Sequence, residues 1–96
     1  MNQYGIRALE HWRTHLPGQL AKIPDPEEFF TLLGETAEAE IDQAADALAD
    51  LKPPSGEYLD EVARLSTARQ MARSQVMRDM ILIDPQDQEK IAQLLG

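Results

Sequence analysis

Residues 25–51 read DPEEFFTLLGETAEAEIDQAADALADL, and this stretch decides the fold. Asp25, Pro26 and Glu28 supply an N-cap carboxylate, a proline suited to the first helical position and the glutamate of a capping box, so a helix starts here. From that start Phe30, Leu33, Ala37, Ile41, Ala44, Leu48 and Leu51 recur at spacings of three and four, which confines them to one stripe of an α-helix. Lys52, Pro53, Pro54, Ser55 and Gly56 end it.

A second helix is predicted from near Glu57, with Tyr58, Val62, Leu65, Arg69, Ala72, Val76, Met80 and Ile83 as its stripe. The two stripes test each other, because facing residues of an antiparallel hairpin have numbers that add to a constant. Leu51 with Tyr58, Leu48 with Val62, Ala44 with Leu65, Ala37 with Ala72, Leu33 with Val76 and Phe30 with Met80 all add to 109 or 110. The reading is therefore a long antiparallel α-helical hairpin over residues 25–83. Upstream, Leu9, Trp12, Leu16, Leu20 and Ile23 predict an N-terminal helical segment over 1–23, kinked where Pro17 and Gly18 interrupt it. Downstream, Asp84 and Pro85 repeat the cap-and-proline signal and predict a short C-terminal helix over 84–96 carrying Ile91, Leu94 and Leu95. The fold class is all-α and the 96 residues are one domain. A core of this size is modest, so the bundle is expected to be completed by dimerisation.

Charge is segregated between the two long helices. Asp25, Glu27, Glu28, Glu35, Glu38, Glu40, Asp42, Asp46 and Asp50 lie between Pro24 and Leu51 with no Lys or Arg, whereas Arg64, Arg69, Arg73 and Arg78 lie between Val62 and Arg78 with no acid. Glu40 borders one stripe and Arg69 lies within the other, and the register predicts that they meet as a structural ion pair. Glu35, Glu38, Asp42, Asp46 and Asp50 project away from the stripe as an acidic ridge, most of them four apart, a spacing that costs a few tenths of a kcal/mol for each like-charged pair. Such a ridge is either the solvated face of an acidic protein or a surface that docks a basic partner. Near the other end, Met71, Met77, Met80, Ile81, Leu82 and Ile83 make the second helix apolar nearly all round. Met77, Ile81, Leu82, Ile91, Leu94 and Leu95 are accordingly expected to form an interface with a second copy or a partner.

Candidate chemistry is sparse. His11 and His15, four apart beside Glu10, would share a helical face, but two ligands do not make a metal site and no other His or Cys exists in the chain. No phosphate loop, activated serine or cysteine nucleophile appears. No enzyme activity, cofactor or metal is expected. The net charge of -8, from 17 acidic and 9 basic residues, opposes direct binding to nucleic acid or anionic membrane. Without a leader pattern or an apolar run of bilayer length, a soluble cytoplasmic protein is expected. The functional expectation is a non-enzymatic, acidic, helical protein–protein interaction module, homodimeric. Its alternative is an acidic inhibitor of the phage or mobile-element type, anti-CRISPR-like, that mimics nucleic acid and binds a basic nucleic-acid-handling protein. A DNA-binding regulator acting through Arg73 and Arg78 is a further alternative.

Overall fold

The computed structural model describes residues 1–51 and 56–96, so the connection expected at 52–55 lies outside the described residues. The described residues are mostly helical and contain no strand. Five α-helices follow in order: α1 (Gln3–His15), α2 (Pro17–Leu20), α3 (Pro26–Asp50), α4 (Tyr58–Val76) and α5 (Gln88–Leu95), with a π-helical turn at Met77–Ile81 continuing α4.

Local chemistry sets these boundaries. Asp25 caps α3 by accepting from the Glu28 N–H at 3.1 Å, with Pro26 at the first helical position. Asn2 caps α1, accepting from the Gly5 N–H at 2.9 Å. Pro17 lacks an N–H to extend α1, which ends at His15, and it opens the one-turn α2 instead. The expected start of the last helix at Asp84 and Pro85 is three residues early. Asp84 makes a turn, accepting from the backbone of Gln86 and Asp87, and Asp87 is the cap of α5, accepting from the Lys90 N–H at 3.1 Å.

α3 and α4 pack against each other, and their cross-links join Asp42 to Arg69 and Ala49 to Arg64, an order that makes them antiparallel. α1 lies across them near the start of α3. Trp12 is fully buried and meets Phe29 and Phe30 edge-on at ring separations of 5.7 and 5.6 Å, while Asn2 at the other end of α1 donates to Glu38 at 3.1 Å. α1 and α3 are therefore antiparallel, and they approach most closely at Gly5 and Gly34, where each helix presents backbone to the other. Around this crossing the core collects Tyr4, Ala8, Trp12, Phe30, Leu33, Ala37, Ile41, Ala72 and Val76.

The second long helix departs from the expected α-helix through Ile83. Ala68, Ala72 and Val76 are buried at intervals of four, but the next buried position along that line is Ile81, an interval of five. The Leu82 N–H bonds to the Met77 carbonyl at 2.6 Å, the wider ring of a π turn, which supplies the extra residue. Ile81 and Ile83 are thereby fully buried, and His11 Nε2 lies 2.7 Å from the Ile83 carbonyl. Since a carbonyl can only accept, that nitrogen carries the proton. α5 folds back onto the π turn with Ile91 in the core, and Lys90 bonds to Asp79 at 2.8 Å.

Candidate docking groove

Glu38, Asp42, Asp46 and Asp50 stand four apart and form one exposed row along α3. The row begins inside the fold's own contacts. Glu38 holds Asn2, and Asp42 accepts from Arg69 at 2.8 Å, a hydrogen bond that raises the arginine above its ordinary value against the opposing effect of desolvation. Asp46 and Asp50 form no ion pair among the described residues. Glu35 is exposed but belongs to a different depression, with Asp25, Glu27, Glu28, Thr31 and Leu32.

The row facing it on α4 is Arg69, Leu65, Val62 and Tyr58, which share a face at spacings of four, three and four. Arg69 is the near end of this row and reaches Asp42 across the helix pair. The apolar members are open to solvent, with Leu65 51 %, Val62 47 % and Tyr58 80 % exposed. Both rows lie on the side of the pair where α1 packs, since Glu38 touches Asn2, and Arg69 lines a depression shared with Gln3 and Tyr4 at the end of α1.

Lengths explain why these apolar side chains are uncovered. α1 has 13 residues and α3 has 25, or about 20 Å against about 37 Å at 1.5 Å per residue. Asn2 reaches only Glu38, and among the described residues no third helix packs on the arm of the α3–α4 pair beyond that level. Inside the arm the seam is narrow. Ile41, Ala45 and Ala49 are buried, and the half-buried Arg64 lies across the end, donating to the Ala49 carbonyl and to Glu61 at 2.6 Å. The arm therefore carries two exposed rows, Asp46 and Asp50 on α3 and Leu65, Val62 and Tyr58 on α4, flanking the buried seam of Ile41, Ala45 and Ala49.

Several expected residues take other places. Arg69 pairs with Asp42, two residues farther along α3 than the expected Glu40, which is exposed. Asp42 comes from the ridge, so ridge and seam meet on one side of α3 instead of occupying opposite faces. Leu51 and Tyr58, expected as a buried pair, are 77 % and 80 % exposed. Of the expected interface, Met77, Ile81 and Ile91 are buried in the chain's own core and Leu94 is half-buried, which leaves Leu82 and Leu95 exposed. α1, the π turn and α5 together cover what one helix could not.

His11 and His15 lie with ring centres 4.7 Å apart, and the Ile83 carbonyl engages His11. Among the described residues no three His, Cys, Asp or Glu side chains converge as metal ligands, and no helix is long and apolar enough to cross a membrane. The apolar row of α4 was hidden in the sequence because Tyr58, Val62 and Leu65 fit the seam period as well as they fit an open face; the shortness of α1 relative to α3 is the signal that separates the two readings. The chain matches no known protein-family profile, and no curated protein or solved structure is significantly similar to it.

Proposed function

We propose that this chain is a non-enzymatic protein–protein interaction module that captures a basic amphipathic helix of a partner in the open groove of the α3–α4 arm. One observation carries the reading. An acidic row and an apolar row run side by side, in line with α1 and beyond its end, so that a helix laid there would meet carboxylates on one flank and Leu65, Val62 and Tyr58 on the other. Recognition of an amphipathic helix by a groove of this kind uses anchors at three- and four-residue spacing. From Glu38 to Asp50 the groove is about 18 Å long, room for about three turns.

Charge selects the partner. Lysines or arginines on one flank of the incoming helix would face Asp46 and Asp50, accelerating encounter and fixing orientation, while the apolar contacts hold the complex. A nucleic-acid-handling protein, rich in basic surface, is the class of partner that offers such a helix. Symmetric pairing of two arms would instead set each acidic row against the partner's acidic row or its apolar row, neither of which supplies a cation, and this weighs against dimerisation through the groove.

The test uses a synthetic amphipathic peptide of about three turns, Lys and Leu at complementary spacings, titrated against the full chain at low and high salt. Saturable binding that weakens with salt, and that is lost in both Asp46→Lys/Asp50→Lys and Leu65→Glu while circular dichroism stays unchanged, is the expected result. Binding that survives both changes overturns the proposal.

A further inference from the structure

A second concave surface lies between α1 and α4, and it has the opposite sign. Arg7 of α1, Arg73 of α4 and Arg78 of the π turn line a groove of about 650 Å³, and no carboxylate contributes to its wall. Among the described residues none of the three arginines makes an ion pair. In a chain with 17 acids and 9 bases this is not for want of partners, since Arg69 and Lys90 both find aspartates at 2.8 Å. Arg73 is held over the Tyr4 ring at 5.8 Å from its centre, so one guanidinium is positioned by the junction of α1 and α4. Gln70 and Ser74 add neutral polar groups to the wall, and Leu82 forms an apolar lip. The π turn begins at Met77, between Arg73 and Arg78, and such turns are frequent at ligand sites.

We infer that this groove binds a small phosphate-bearing ligand, of the pyrophosphate or phosphomonoester class, through Arg7, Arg73 and Arg78. Three guanidinium groups present planar donor forks suited to tetrahedral oxyanions, and their combined charge matches a di- or trianion better than a single carboxylate. A nucleic-acid strand would extend past these three contacts over a chain whose net charge is -8, which opposes its binding. The inference does not depend on the helix-binding groove, which uses other residues.

The experiment is calorimetric titration of the full chain with inorganic pyrophosphate, paralleled by a short single-stranded oligonucleotide and an acidic peptide. Pyrophosphate should bind saturably and more weakly as salt rises. Arg73→Ala and Arg78→Ala should each weaken binding about tenfold or more, as expected for loss of a charge-assisted hydrogen bond, and Arg13→Ala, outside the groove, should not. Circular dichroism and melting of each variant separate loss of the site from loss of the fold. Absence of saturable pyrophosphate binding, equal binding by folded Arg73→Ala and Arg78→Ala, or preference for the oligonucleotide or the acidic peptide would overturn the inference.

Discussion

Gly5 and Gly34 are the residues on which the α1–α3 crossing depends. A Cβ added at Gly34 would meet Asn2 Oδ1 and come within 2.7 Å of the Gly5 amide nitrogen, and one at Gly5 would meet the Phe30 carbonyl oxygen. Backbone on the opposite side cannot swing away as a long side chain can, so the helices themselves must separate. Alanine gains up to about 1 kcal/mol of helix propensity over glycine, but overpacking of a close crossing costs about 1–3 kcal/mol. Gly5→Ala and Gly34→Ala should therefore lower thermal stability, whereas Gly18→Ala, with nothing within 4 Å of the new methyl, should raise it slightly. Melting curves of the three variants check the sign at each site. The glycines were visible in the sequence, but the close approach was not, because it depends on which helix crosses at that point. The ion pair shows the same limit: Arg69 was legible as a charge within the stripe, but the choice between Glu40 and Asp42 rests on helix rotation, which a register sum does not contain.

Among the elements, the start of α3 was legible, the start of α5 was read three residues early because Asp84 and Pro85 form a turn ahead of the Asp87 cap, and rotations were not legible. Asp25 and Pro26 announced α3, and they cap and open it. In the half of the pair near α1, Phe30, Leu33, Ala37, Ala72 and Val76 are buried as their spacing implies. In the arm the seam moves onto Ala45 and Ala49, because a straight helix of 3.6 residues per turn drifts away from a stripe drawn at spacings of three and four. Alanines carry too little hydrophobic signal to compete with Leu48 and Leu51 in a sequence pattern. The π turn had no signal beyond an excess of apolar residues, and it is what brings α5 into contact through Lys90 and Asp79. The hydrogen bond that Lys90 donates to Asp79, opposed by desolvation and aided by the Asp79 and Asp87 charges, holds the Lys90 ammonium above its ordinary value of 10.5. A raised value in the folded state means that the contribution of Lys90 is fully present below the ordinary lysine value and is lost as pH rises through the folded one. The Ile91 methyl resonances should therefore stay constant through neutral pH and shift only in strongly alkaline solution. In Lys90→Met that alkaline step should be missing; its persistence would assign the change to another group.

At the scale of the whole molecule, shape accounts for what is left open. The chain measures 52 × 25 × 21 Å, long for its size, because α3 and α4 outrun α1. Composition made the acidity legible and periodicity made the helices legible, yet the candidate groove required knowing where α1 stops. A direct consequence is that the groove can be filled in cis. Extending α1 at its N-terminus by about 12 residues carries the helix about 18 Å farther, from the level of Glu38 to that of Asp50. If leucines in the extension face Val62 and Leu65 and lysines face Asp46 and Asp50, burial of the apolar wall should raise the melting temperature, and the extended chain should no longer bind the basic amphipathic peptide. The same extension with glutamate for each lysine keeps the helix and its leucines but sets like charges against the ridge, and it should give neither effect. Equal stabilisation by both extensions would reduce the acidic row to a solvated face and leave the apolar row alone as the recognition surface; stabilisation by neither would mean that the path of α1 does not continue as a helix-sized groove.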